Sequence, residues 1–335
     1  MVKFLITGGA GFIGHHMVEH ILKTRPDDKI VIVDKLTYAC KGLDRLRSFN
    51  ALTNPNVTVI THDLCVPFSH GISYEIEKFG DKTPVDIIIH MAAETHVDNS
   101  IQTPVDVIQN NVMSTVNLLE YARTISSLKL FFYFSTDEVF GPAPGTTLFK
   151  EWDRHKPTNP YSASKSASEQ ICVAYENTYK IPLMVVNVMN VIGERQHIEK
   201  FIPKIVKSIL TDNEILIHSD KECKNAGTRF YIHARNVASA VMFLMENGTI
   251  GEKYNIAGEK ETSNLEIVQQ ISEIMGMEAK TKLINFHESR PGHDLRYGLD
   301  DSKLTAMGWK HPVDFKTSLE HTVKWMVANP SWLEW

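Results

Sequence analysis

Apolar residues in the first half of the chain come in short continuous runs, not in alternation with polar ones. The runs are KFLIT at 3–7, KIVIVD at 29–34, 57–61, VDIIIH at 85–90, LFFYFS at 130–135 and PLMVVN at 182–187. β-Branched and aromatic residues in unbroken runs of this length predict strands covered on both faces, as in a parallel sheet. Between them the apolar spacing turns helical, over 14–23, 104–123 and 161–179. Strands that alternate with helices predict an α/β fold of Rossmann type, with a doubly wound parallel sheet. After residue 190 the rhythm weakens. Helices are expected over 201–210, 237–246 and 265–274, with Ser263 or Asn264 as the N-cap of the last. The expected division is a Rossmann domain over 1–190 and a smaller lobe over 191–335, some of whose strands return to the sheet. No internal repeat or low-complexity linker interrupts the chain.

Length and composition narrow the picture. At roughly 150 residues per domain, 335 residues predict about two structural units. A formal charge of −5 argues against a dedicated nucleic-acid binder. With 43% hydrophobic and 22% charged residues, disorder is not expected. No run of about 18 apolar residues predicts a transmembrane helix. The N-terminal segment runs straight into a glycine-rich turn and has no signal-peptide pattern, so a cytoplasmic setting is expected. Cys40, Cys65, Cys172 and Cys223 are scattered, which reads as reduced thiols and no metal site.

The candidate chemistry lies at strand ends. Gly8, Gly11 and Gly14 form a GxxGxxG turn between the first strand and the first helix. Such a turn lets backbone N–H groups at the helix start approach a pyrophosphate. Asp34 closes the second strand about 20 residues on, where a carboxylate binds a ribose 2′-OH and favours NAD over NADP. Asp63, followed by Leu64, reads equally as an adenine contact or a helix cap. Ala92 and Ala93, after the fourth strand, leave room for a cofactor near the backbone or serve plain packing. Tyr161 and Lys165 share a helix face four residues apart, so the ammonium is expected to lower the phenol's pKa and make it a base. Ser135, Thr136, Asp137 and Glu138 end the fifth strand. Their two carboxylates are either an acid and a base or a solvated turn.

These motifs resemble the extended short-chain dehydrogenase/reductases and, within them, the nucleoside-diphosphate-glucose 4,6-dehydratases. The resemblance spans nearly the whole chain. It rests on TGGAGFIG at 7–14, DKLTYA at 34–39, AAETHVDNS at 92–100, STDEVFG at 135–141, NPYSASK at 159–165, RPGHDLRYGLD at 290–300 and a late Gly-Trp at 308–309. It implies a lyase with tightly bound NAD⁺ that makes a 4-keto-6-deoxy sugar nucleotide for deoxysugar synthesis. The implied substrate is dTDP-glucose, with UDP-, CDP- or GDP-glucose as alternatives. Tyr161, held by Lys165, takes the 4-OH proton, and Thr136 binds that hydroxyl. Glu138 removes the C5 proton and Asp137 protonates the departing 6-OH. The implied cofactor contacts add Phe12, Ile13, Lys35, Leu36, Thr37 and Glu94 to the residues above. Thr95, Asp98 and Asn190 are implied on the sugar or phosphate side. Lys200, Arg229, Asn255, Arg290 and His293 are implied at the nucleotide diphosphate. A homodimer paired through the helices at 104–123 and 161–179 is implied as well.

Departures from that family are specific. Phe140 stands where Tyr is usual. Asn187 stands where Arg is common. Val191-Ile192-Gly193-Glu194 replaces Asn-Tyr-Gly-Pro after Asn190, and Ile198 replaces a Pro. A longer stretch at 219–228 is expected near the nucleotide pocket. A 4-epimerase or decarboxylase would share Tyr161 and Lys165 but not need Asp137 and Glu138. An inactive NAD-binding scaffold would have lost residues that are all present here.

Overall fold

The computed structural model describes residues 1–80, 82–285 and 294–334. Its centre is a sheet of seven strands: β1 (Lys3–Thr7), β2 (Lys29–Asp34), β3 (Val57–Thr61), β4 (Ile87–His90), β5 (Leu130–Thr136), β6 (Leu183–Val188) and β7 (Lys253–Ile256). They lie in the order β7-β6-β5-β4-β1-β2-β3, and every neighbouring pair is parallel. The chain starts at β1, runs outward to β3, then crosses back to β4 on the other side of β1. That reversal opens a crevice beyond the carboxyl ends of β1 and β4, where open α/β sheets bind ligands.

The continuous apolar runs have a direct cause. Successive side chains of a strand enter two different cores. Phe4, Ile6, Ile30, Ile32, Phe132 and Phe134 face α1 (Phe12–Thr24) and the helix at Ala234–Asn247. Leu5, Val31, Val33, Phe131 and Tyr133 face α2 (Pro104–Arg123) and α3 (Pro160–Tyr179). α3 begins at Pro160 itself, one residue earlier than expected. Asn159 caps it, its Oδ1 accepting from Ser162 N at 2.8 Å while Ser162 Oγ accepts from Asn159 N at 3.2 Å. Proline suits a first helical position because its missing N–H would have no partner there.

The rest of the chain adds α4 (Phe201–Leu210), α5 (Ala234–Asn247), α6 (Asn264–Met275) and α7 (Phe315–Ala328), and α4, α6 and α7 build a third core. Ile202, Val206, Ile267, Ile271, Leu319 and Val323 fill it, while α5 reaches back to cover the sheet. Ser263 is the N-cap of α6, with Glu266 closing a capping box. The weak sequence rhythm here follows from strands of two to five residues paired two at a time, such as Thr228–Phe230 with Glu261–Ser263. The long stretch at 219–228 does not reach the cavity described below. It folds back on Asp220, whose carboxylate accepts from Lys224 N and Asn225 N.

Candidate active site

A cavity of about 370 Å³ runs over the carboxyl ends of the strands, from the glycine-rich turn to the start of α3. At one end Gly8 has φ +70°, and a Cβ there would stand 2.9 Å from Ala92 Cα, so the turns after β1 and β4 touch backbone to backbone. Gly14 lies so close to Gly8 O that a Cβ would be 2.1 Å from it. α1 starts at Gly11 with no side-chain cap, and Gly11, Phe12, Ile13 and Gly14 line the cavity. First-turn N–H groups without helical acceptors favour an anion.

Asp34 stands at the tip of β2, buried. Its Oδ2 accepts from Ala10 N at 3.0 Å and its Oδ1 from Leu36 N at 2.8 Å. Lys35 Nζ donates to Asn110 Oδ1 at 2.6 Å and is 3.9 Å from Asp63. Asp63 caps a turn and not a helix: its Oδ1 accepts from Cys65 N at 2.9 Å, and the residue lines the cavity. Thr37, Leu64, Ala92, Ala93 and Glu94 line it too. Leu36 does not. Its φ is +55°, and its side chain packs on the first core, not the cavity. Burial, with Glu199 adding to it, raises the pKa of Glu94 against the pull of Lys35 and Lys200.

At the other end Thr136, Asp137, Glu138, Tyr161 and Lys165 converge on one wall. Thr136 Oγ donates to Asp137 Oδ1 at 2.9 Å, while Asp137 Oδ2 is buried without a partner. Burial first, then the charge of Glu138, pushes Asp137 up to about 7. Glu138 Oε2 instead accepts from Asn159 Nδ2 at 3.2 Å and Tyr297 Oη at 3.4 Å. Two adjacent carboxyls thus sit in unlike surroundings, Asp137 with a buried oxygen left unmet and Glu138 held by two neutral donors.

The Tyr161–Lys165 expectation needs correction. Lys165 Nζ donates to Phe134 O at 2.5 Å and lies 4.4 Å from the centre of the Tyr133 ring. Burial brings its pKa down to about 8. Burial raises the phenol of Tyr161, with Glu138 and Asp137 adding to the rise and Thr136 opposing it. The helical spacing brings the two residues to one cavity, but the strand-end carbonyl captures the ammonium.

Behind this wall is a buried polar knot. Asn187 Nδ2 donates to Glu169 Oε2 at 3.1 Å and to Thr136 O at 3.4 Å. Lys253 Nζ is 2.5 Å from Glu169 Oε1 and His155 Nε2 is 3.4 Å from it. Burial pushes Glu169 up, but His155 and Lys253 outweigh it and hold the carboxyl down at about 2. Phe140 rests edge-on against His155 and stacks on Phe149, so an apolar ring suits this position.

The expected substrate contacts divide. Thr95, Asn190 and Lys200 line the cavity, with Lys200 Nζ 3.3 Å from Thr95 Oγ1. Asn190 Oδ1 is buried there without a partner, as is Ser135 Oγ. Asp98 lies off the cavity wall, 3.6 Å from His96. Arg229 is buried beside the wall. It donates to Thr228 O, Asp294 O and Leu295 O and stands 4.5 Å from the Tyr297 ring. Asn255 does not reach the cavity: fully buried in β7, it donates to Phe149 O at 2.9 Å and Asp300 O at 3.0 Å. Arg290 and His293 lie outside the described residues. The sequence reading missed Asn159 and Tyr297 as partners of Glu138. It also missed Tyr231, a cavity residue whose hydroxyl donates to Asn264 Oδ1 at 2.6 Å. Tyr297 lay within the RPGHDLRYGLD motif; nothing local marked Tyr231.

A dinucleotide fits this frame on three observations: the glycine cradle against Ala92, the uncapped first turn of α1, and the Asp34 carboxylate at the edge of the crevice. Comparison with known proteins agrees. The chain is 34% identical to a dTDP-glucose 4,6-dehydratase of Haemophilus influenzae, over 99% of both chains. It is 33% identical to a trifunctional UDP-glucose 4,6-dehydratase/epimerase/reductase of Arabidopsis thaliana, over 98% of this chain but only 48% of that protein. Among solved structures, a dTDP-glucose 4,6-dehydratase of Streptomyces venezuelae crystallised with NAD superposes with a TM-score of 0.87 at 30% identity, over 99% of this chain and 98% of that one. The family model for GDP-mannose 4,6 dehydratase matches residues 5–322, and the chain belongs to that family.

Proposed function

We propose that the protein is an NAD-dependent nucleoside-diphosphate-glucose 4,6-dehydratase that converts dTDP-glucose to dTDP-4-keto-6-deoxyglucose and water. The observation that carries this reading is the unlike pair Asp137 and Glu138 on the cavity wall shared with Thr136 and Tyr161. Elimination across C5 and C6 needs an acid and a base beyond the one that takes the 4-OH proton, whereas epimerisation at C4 needs only the latter. A UDP-glucose substrate is the second reading, favoured by the 33% identity to the plant UDP-glucose enzyme.

Gly8, Gly11 and Gly14 with the first turn of α1 would hold the NAD pyrophosphate, and Asp34 the adenosine ribose. Bound NAD⁺ supplies a hydride acceptor for C4 oxidation and a donor for the return to C6. Thr136 orients the 4-OH, and Tyr161 in its phenolate form would take the proton. Lys165, clamped on Phe134 O, keeps a positive charge at that strand end without competing for the sugar. Glu138, held between Asn159 and Tyr297, removes the C5 proton that the 4-keto group has made acidic. Asp137, protonated near neutral pH, gives its proton to the leaving 6-OH. Lys200 and Arg229 would supply charge toward the diphosphate, with Thr95 and Asn190 on the sugar side.

Two copies pairing through α2 and α3 would cover Val105, Ile108 and Met113 on α2 and Tyr179 at the end of α3, all exposed in the single chain. Four free cysteines, two of them buried, suit a reducing compartment, and the cytoplasm is the setting proposed.

The test incubates the purified protein with dTDP-glucose and UDP-glucose in parallel, with and without added NAD⁺, and follows loss of one water by mass spectrometry. Water loss from one substrate supports the dehydratase and names the base. Glu138→Gln should abolish both water loss and exchange of the C5 proton. A C4 epimer in place of the dehydrated sugar would overturn the roles of Asp137 and Glu138.

A further inference from the structure

The described residues enclose a second cavity, of about 260 Å³, on the far side of α1 from the cofactor crevice. His16, Glu19, His20 and Lys23 of α1, Glu194 and Arg195 of the loop after residue 193, Arg235 of α5 and Trp325 of α7 line it. Nothing in the proposed reaction uses these residues.

Hydrogen-bond accounting makes this cavity unusual. Arg195 Nε, Arg235 Nε and Arg235 Nη2 are buried and have no acceptor among the described residues. Buried guanidinium nitrogens normally find one, because leaving a charged donor unmet is costly. The nearby carboxylates are committed elsewhere. Glu194 Oε2 is 3.0 Å from His233 Nε2, and Glu19 Oε1 is 2.6 Å from Lys23 Nζ. Neither forms an ion pair with Arg195 or Arg235, although both act on Arg195 from farther away. Arg195 is also held in place. It takes a left-handed backbone at φ +64°, its carbonyl accepts from Arg45 Nε at 3.0 Å, and its guanidinium lies 5.1 Å from the centre of the Trp325 ring. A guanidinium stacked on a ring keeps its in-plane N–H groups for a ligand.

We propose that this second cavity is an anion site that binds a phosphoryl group between Arg195 and Arg235. Two planar forks on separate elements can supply bidentate hydrogen bonds to a tetrahedral oxyanion. The cavity is roomy enough for a phosphate or a small phosphate ester. This gives a role to Glu194 and Arg195, at and just after a place where the sequence departs from the pattern it otherwise resembles. Glu194 anchors the loop to His16 and His233, and Arg195 turns toward the cavity. The same loop continues to Gln196, His197, Glu199 and Lys200, which line the main cavity, so one segment borders both sites.

The test is calorimetric titration of NAD-loaded protein with inorganic phosphate, against chloride at equal ionic strength. The proteins compared are the unaltered chain, Arg195→Gln, Arg235→Gln, Arg235→Lys and Lys200→Gln, each checked for an unchanged thermal transition. Phosphate should bind the unaltered chain, weaken at least about tenfold in both Gln variants, weaken less in Arg235→Lys, and persist in Lys200→Gln. Should either Gln variant unfold, the Arg235→Lys and Lys200→Gln pair still decides the matter. No phosphate heat above chloride, equal heat in all variants, or loss in Lys200→Gln alone would overturn the proposal. The readout is binding, so it does not depend on which sugar nucleotide the main site turns over.

Discussion

Tyr297 Oη lies 3.4 Å from Oε2 of Glu138, bridging 159 residues of sequence, and Asn159 Nδ2 approaches the same oxygen at 3.2 Å. Two neutral donors on one oxygen favour the ionised carboxyl. Tyr297 is thus a positioning residue for the proposed base. Tyr297→Phe should lower kcat roughly tenfold with little change in KM, on the scale of one lost hydrogen bond to a charge. An unchanged kcat, or a rise in KM of the same size, would mean that Tyr297 only packs.

Asp137 makes an opposite prediction about stability. Its folded pKa of about 7 is above the usual value of 3.8. Below about pH 4 it is neutral in both folded and unfolded chains. As pH rises to about 7 the unfolded chain ionises first, so this group's contribution to folding stability declines across that window. Asp137→Asn should therefore leave the thermal transition unchanged near pH 4 and raise it at pH 8, by on the order of 2 kcal/mol. The same substitution should remove the high-pH limb of activity along with most of kcat. A transition lowered at pH 8 would show that the carboxylate is stabilised, not strained.

Much of this arrangement was legible in the sequence, for reasons the structure supplies. β1, β2 and β3 and helices α2 and α4 match the expected bounds, because strands buried on both faces read as unbroken apolar runs. The glycine turn and the residues from Thr136 to Glu138 were visible because their chemistry is local. What escaped was set by distant chain. That a strand of the second lobe returns to the sheet is expected, but not which one: β7 is four residues long and joins from position 253. The Lys165 ammonium goes to a carbonyl of β5, which helical spacing alone does not reveal. Tyr297 meets Glu138 only after the second lobe has folded back. The resemblance implies Asn255 at the nucleotide diphosphate, yet its place on the edge strand β7 gives it a structural task.

That task can be measured. Asn255 joins β7 to Phe149 O and Asp300 O, and its backbone N–H donates to Glu151 Oε1 at 3.3 Å. Asn255→Ala takes one of two donors from Phe149 O, which keeps Asp300 N, and removes the amide donor to Asp300 O, so it should cost about 1 kcal/mol in denaturant unfolding. KM for the sugar nucleotide should stay within about twofold, as expected of a residue off the cavity wall. Lys200→Ala should do the reverse, raising KM with little change in unfolding, because Lys200 lines the cavity and is partly exposed. A large KM effect for Asn255→Ala at unchanged stability would restore it to the substrate site.

Cofactor choice rests on Asp34, which holds two backbone N–H groups, from Ala10 and Leu36. An ionised carboxylate at the edge of the crevice can still accept from ribose hydroxyls through its remaining lone pairs, but it repels a 2′-phosphate. Asp34→Asn removes that repulsion. It also replaces one acceptor oxygen with a donor, so either Ala10 N or Leu36 N loses its partner. The turn should loosen, and folding stability should fall by about 1 kcal/mol. NADH affinity should drop about tenfold, while NADPH affinity holds or rises, so the preference for NADH narrows or reverses. Fluorescence titration of the variant and the unaltered chain with each reduced cofactor measures the ratio directly. An unchanged ratio in a stably folded variant would assign ribose selection to another residue on the wall, with Lys35 the first to examine, since its ammonium stands between Asn110 and Asp63.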